Sequence, residues 1–173
     1  MRSPRFLARS VALAFVMLAA VMSTSCFDPE HKDEVNALGG EAPGVRTGPF
    51  HRPGQPCRAC HGGMGPGKPE FSIAGTIYAH RDSGEVKPGV QVTITDATGD
   101  ARTLTSNEAG NFYISIDQWS PTFPATVKLA YDGLDPAKQT QMQTVIGRNG
   151  GCAFCHYGAD KEPSHMPPVY LEE

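Results

Sequence analysis

Between residues 71 and 146 apolar and polar side chains alternate with a period of two. In FSIAGTIYAH, Phe71, Ile73, Gly75 and Ile77 interleave with Ser72, Ala74, Thr76 and Tyr78. In GVQVTITD, Val90, Val92 and Ile94 interleave with Gln91, Thr93 and Thr95. NFYISID sets Phe112, Ile114 and Ile116 on one face, ATVKLAYDG does the same with Ala125, Val127, Leu129 and Tyr131, and TQMQTVIG is a weaker last strand through Met142 and Ile146. Such alternation, broken by turn residues, predicts antiparallel strands with one buried face each. DATGD and SNEAGN read as the turns between them; their Asp and Asn residues suit turn chemistry and fit no EF-hand calcium spacing. The expected fold is mainly β, a small antiparallel β-sandwich.

The flanks carry no such period. Residues 1–25 begin with Arg2, Arg5 and Arg9 and no acid, continue through an unbroken apolar run over 11–22, and end in small residues. This is the build of a secretory signal peptide. The apolar run falls short of the roughly 20 residues that a membrane-spanning helix needs. Cys26 directly after the small residues resembles the bacterial lipoprotein signal, although Ser23 stands where that signal usually has Leu. The resemblance implies that Cys26 is acylated and, with Phe27 rather than Asp beside it, that the anchor lies in the outer membrane. The other reading is ordinary cleavage near Ser25, which leaves Cys26 a free thiol. Residues 26–56, rising in Pro and Gly, read as a lipid-anchored flexible tether, with one or two helical turns in HKDEVNAL.

Composition agrees with short strands and irregular chain. Hydrophobic residues make up 39%, low for one large core, while 19 Gly and 15 Pro disfavour long helices. The net charge of −3 excludes the basic footprint of a nucleic-acid-binding protein.

The five cysteines carry the chemistry. Setting Cys26 aside, the remaining four form CRACH (Cys57, Cys60, His61) and CAFCH (Cys152, Cys155, His156). C-x-x-C-H is the attachment signature of c-type haem: the thiols add to the two haem vinyl groups and the histidine reaches the iron. Two copies, using every cysteine but one, predict two covalently attached haem c groups, in segments 57–70 and 147–173 on either side of the sandwich. Two other readings stay open. The two pairs could form one four-cysteine zinc site, although zinc requires no histidine after either pair. A thioredoxin-like dithiol belongs between a strand and a helix, and these pairs lie in Gly- and Pro-rich chain.

His61 and His156 are the expected proximal ligands. For the sixth positions the candidates are His165 and His51 first, His80 next, then Met166; Met64 and Met142 are further options, and His31 sits among charged neighbours. Paired histidines would hold the potential low and methionine would raise it.

The run AGTIYAHRDSGEVKPGVQVTITDATGDARTLTSNEAGNFYISI resembles the carboxypeptidase regulatory-like domain, a transthyretin-like β-sandwich, over about residues 71–146. The resemblance implies a rigid binding or spacing module without catalytic residues. The whole chain is similar to small dihaem c-type cytochromes among exported bacterial lipoproteins. The expectation is electron transfer rather than enzymatic catalysis, in the cell envelope, with redox proteins as partners, the membrane reached through the lipid, and self-association up to a filament as an open possibility. Two alternatives differ in class: a peroxidase-like haem enzyme with one open iron site, and a zinc-stapled binding or adhesion lipoprotein. Joints at GGMGPGKPE and GRNGG would let both haem segments meet at one end of the sandwich.

Overall fold

A computed structural model describes residues 29–41, 43–45, 47–81, 84–132, 140–156 and 166–172. The expected signal peptide and Cys26 lie outside them. Among the described residues no helix is long and apolar enough to cross a membrane.

The protein is mainly β, with several small sheets in an arrangement consistent with a β-sandwich. Strands β1 (Phe71–Thr76), β2 (Tyr78–His80), β3 (Gln91–Thr95), β4 (Ala101–Thr105), β5 (Asn111–Ser115) and β6 (Thr126–Ala130) come in that order. Two more come from the downstream flank: β7 (Gly150–Gly151) and β8 (Tyr170–Glu172). The sheets are ordered β5-β1-β7, β4-β3-β6 and β2-β8.

Where the alternation is strong, it sets both strand and register. Val92 and Ile94 of β3 are fully buried between exposed or half-buried neighbours, and Val92 lies opposite Leu104 on β4 and Leu129 on β6. Ile73, Phe112 and Ile114 of one sheet share a single core with Val92, Ile94 and Leu129 of the other, closed by Ile77, Val90, Trp119, Ala125 and Leu171. Each fully buried aliphatic side chain here contributes about 1.5–3 kcal/mol relative to exposure.

Several expectations are corrected. β1 is buried along its whole length, not on one face, because it is the middle strand of its sheet and the Cys57–His61 helix packs on it. Ile116 falls beyond the end of β5 and is exposed. Residues 141–146 make single bridges, Gln141 to Lys128 and Ile146 to Ala125, rather than a strand. β4 has no clear alternation to announce it, since Leu104 is its one large apolar side chain. The sheets are not wholly antiparallel: β1 with β7, and β2 with β8, run parallel. Within the flanking segments, Cys57–His61 is a short α-helix and Cys152–Phe154 a 3-10 turn.

The turns use their polar side chains on themselves. Asp96 accepts from the Thr98 N–H at 2.8 Å and hydroxyl at 2.7 Å, and from the N–H groups of Asp100 at 3.1 Å and Thr122 at 3.0 Å. Asn107 Oδ1 accepts from the N–H groups of Ala109 and Asn111.

The upstream flank is less free than a flexible tether. A helix spans Pro29–Ala37. Arg52 gathers the chain just beyond that helix, donating to the carbonyls of Leu38 at 3.2 Å and Gly39 at 2.6 Å and pairing with Glu41 at 3.0 Å. Arg52 itself has φ of 52°, a left-handed conformation that costs a non-glycine residue about 1–2 kcal/mol and that these bonds offset. Residues 49–54 are pinned to the sheet. Asn107 Nδ2 donates to the Pro49 carbonyl at 2.6 Å, Asn111 Nδ2 to the His51 carbonyl at 3.0 Å, and the Gly54 N–H to Thr76 Oγ1 at 2.8 Å.

Candidate functional site

The two pentapeptides lie side by side against β1. The helix Cys57–His61 contacts β1 and β7, and the 3-10 turn that opens the second pentapeptide contacts β1. The cause is the parallel pairing of β7 with Ile73 and Ala74, which delivers Cys152 to the sheet next to Gly75. A methyl group on Gly75 would stand 2.9 Å from Cys152 Cβ and 2.8 Å from Phe112 Cζ, so the close approach requires glycine there. Arg58 bridges the copies, with Nε donating to the Phe71 carbonyl at 2.8 Å and Nη1 to Asn149 Oδ1 at 2.8 Å.

Helical geometry separates Cys57 and Cys60 by one turn, which suits two attachment points on one group. All four cysteines in the pentapeptides are free thiols. Burial pushes the Cys57 thiol up to about 11. It pushes Cys152 up to about 12, with a further push from the nearby Cys57. A lowered-pKa thiolate marks a working dithiol, and burial moves Cys57 and Cys152 the other way. Among the described residues no group of three or more His, Cys, Asp or Glu converges as a metal cage.

The histidines repeat one detail. His61 Nδ1 meets the Pro69 carbonyl at 2.8 Å, and His156 Nδ1 meets the Pro167 carbonyl at 2.8 Å. A carbonyl acceptor fixes the proton on Nδ1 and leaves Nε2 as the ligating nitrogen, the way metal-bound histidines are oriented. Backbone hydrogen bonds near each pentapeptide bring those carbonyls close. In the first, the Gly67 N–H donates to the Cys60 carbonyl at 2.8 Å and the Gly63 N–H to Glu70 at 2.7 Å. In the second, the Met166 N–H donates to the Cys155 carbonyl at 3.1 Å. His61 is further held by stacking on Phe71, with ring centroids 4.4 Å apart and planes within 16°. Gly67 lies so close to the ring that a Cβ would be 2.9 Å from it.

A cavity of about 480 Å³ opens at the second pentapeptide. Cys152, Cys155 and His156 line it together with Val92, Phe112 and Leu129 of the core sheets. Its size and apolar walls are those of a small-molecule or cofactor pocket. A smaller one of about 260 Å³ includes His51, Cys60, Pro66 and Gly67. The donor set therefore fits covalently held haem at each pentapeptide: two thiols one helical turn apart, an oriented imidazole, and in the second copy an apolar cavity.

The candidates for the sixth positions are distributed unevenly. The His51 ring centroid lies 5.9 Å from that of His61. His80 ends β2 opposite Glu172 and lines neither cavity. Met142 and Met166 line the larger cavity with His156, while Met64 is 65% exposed. His165 lies outside the described residues. Sequence reasoning missed Arg58, Asn149 and the carbonyls of Pro69 and Pro167. A backbone carbonyl has no residue signature, though a proline soon after each histidine is visible as KPE and MPP.

Compared with family models, curated proteins and solved structures, the chain matches none.

Proposed function

We propose that this protein is a dihaem c-type cytochrome that passes single electrons in the bacterial cell envelope. The observation that carries the reading is the duplicated arrangement of CxxCH with its histidine Nδ1 on a proline carbonyl at 2.8 Å in both copies. Cys57 and Cys60 would hold one haem and Cys152 and Cys155 the other, with His61 and His156 offering Nε2 to the irons. When bound, the haems supply a one-electron ferric/ferrous couple. One electron arrives from a reduced donor protein and leaves to an oxidised acceptor, and no atom is transferred.

The chain's own part is to hold and insulate. Proline carbonyls fix both imidazoles, Phe71 buttresses His61, and core side chains give the second site an apolar lining. The two sheets around their common core are read as a β-sandwich, a rigid mount on which both haem segments dock beside one another rather than at opposite ends. Acylated Cys26 would anchor the mature chain, by resemblance in the outer membrane, with redox proteins or further copies of the chain as partners. The histidine directly after each pair, held on a proline carbonyl in both copies, favours this reading over a redox dithiol or a zinc staple.

Intact mass and the visible spectrum of the exported protein test it. The expected result is two added haem masses and a reduced c-type α band. The double variants Cys57→Ser/Cys60→Ser and Cys152→Ser/Cys155→Ser should each lose one haem. A colourless chain holding stoichiometric zinc defeats the proposal.

A further inference from the structure

Resting on that reading, we propose that His51 is the second axial ligand of the first iron, opposite His61, and that the sheet end holds it there. Two opposed imidazoles with metal–nitrogen bonds of about 2.0–2.1 Å place their ring centroids roughly 6 Å apart. The His51 and His61 centroids are 5.9 Å apart, with planes tilted by 34°. The separation fits an iron shared between the rings.

Both rings have Nδ1 engaged by backbone. His61 Nδ1 is committed to the Pro69 carbonyl at 2.8 Å. His51 Nδ1 is committed to Gly48, in contact with its carbonyl and 3.2 Å from its N–H. With the proton on Nδ1, Nε2 is in each ring the nitrogen left for a metal. His51 also lines the smaller cavity with Cys60, one of the two attachment thiols.

His51 stands on a pinned loop. The Asn111 amide donates to the carbonyls of His51 at 3.0 Å and Pro49 at 3.3 Å, and its Oδ1 accepts from Thr76 at 2.7 Å. Thr76 in turn accepts from the Gly54 N–H. Gly54 has φ of +78°, and a Cβ there would stand 2.0 Å from the Tyr78 hydroxyl, so the loop is seated against β2 as well. Asn111 and Thr76 belong to β5 and β1, which places the ligand loop in the frame of the strand that carries the pentapeptide helix. Among the described residues, Met142 and Met166 line the larger cavity and His80 lines neither.

The test uses the full chain with both haems attached, as verified by intact mass. His51→Ala opens one coordination position. The ferrous variant should bind one more carbon monoxide per chain than the parent, the ferric spectrum should gain one high-spin iron, and added imidazole should reverse both. His51→Met retains a ligand and should raise one of the two reduction potentials while leaving the other in place. If His51→Ala does not accumulate, the His51→Met potential decides. Unchanged carbon monoxide stoichiometry, or two unmoved potentials in His51→Met, overturns the assignment and leaves the dihaem reading standing. A parent chain without attached haem overturns that reading and this assignment with it.

Discussion

Arg58 and Asn149 are joined by a 2.8 Å hydrogen bond across 91 residues of chain, from the guanidinium Nη1 to the amide Oδ1. Arg58 sits inside the first pentapeptide and Asn149 just ahead of the second, so one side chain fixes their relative position. The same amide oxygen accepts the Gly151 N–H at 2.9 Å, and Arg58 Nε reaches the Phe71 carbonyl. Arg58→Ala removes both arginine bonds. The expected loss is about 1–3 kcal/mol, seen as a lower urea midpoint. Arg58→Lys should recover little of it, because an ammonium lacks the planar fork that serves two acceptors at once. A lysine variant as stable as the parent would show that charge, not geometry, holds the junction.

Gly75 is the point of closest approach between β1 and the second pentapeptide. Gly75→Ala places a methyl group against Phe112 and Cys152 at 2.8 and 2.9 Å, and should destabilise by about 1–3 kcal/mol through overpacking. Gly147→Ala meets nothing within 4 Å and serves as the control, expected to be neutral or slightly stabilising. Equal thermal midpoints for the two variants would contradict the packing described.

Acid stability should depend on Asp96. The Thr98 hydroxyl first, then the Thr122 N–H and the N–H groups of Thr98 and Asp100, hold its carboxyl down to about 2. In the unfolded chain an aspartate titrates near 3.9. A depressed folded value means the stabilisation is complete above the unfolded value and is lost as pH falls from about 4 toward 2. Asp96→Asn should lower stability at neutral pH and flatten the acid limb of a urea-midpoint profile measured between those limits and pH 7. Parallel profiles for parent and variant would assign the acid response elsewhere.

On the proposed dihaem reading, Gly67→Ala should disturb one haem and spare the other. Its Cβ would stand 2.9 Å from three atoms of the His61 ring, including the Nδ1 that meets Pro69. The expected result is a moved reduction potential for one couple, with both haems still attached by mass. Two unmoved potentials would mean the ring yields without consequence.

Much is legible in the sequence because its cause is local. Val92 and Ile94 alternate with polar neighbours, and that period alone dictates a strand with one buried face. The proposed role of Cys57, Cys60 and His61, and of their second copy, likewise rests on spacing within five residues. Asp96 and Asn107 close their turns on residues two to four positions away, so turn composition is enough.

Tertiary structure decided everything that depends on distant chain meeting. β1 alternates like a half-exposed strand, yet it is buried throughout, because the pentapeptide helix and the 3-10 turn of the second pentapeptide pack on it in addition to the core. The parallel pairing of Gly150 and Gly151 with Ile73 and Ala74 sets the two pentapeptides side by side, and two glycines carry no side-chain pattern that would announce a strand. In the sequence His51 is one candidate among several; the clamp by Asn107, Asn111 and Thr76 brings its ring to 5.9 Å from His61. The choice between candidate ligands rests on distances set by register and by backbone carbonyls. Neither is written in residue identity, so the sequence determined the strands and the spacing of the cysteines, and the packing of distant segments determined which residues meet.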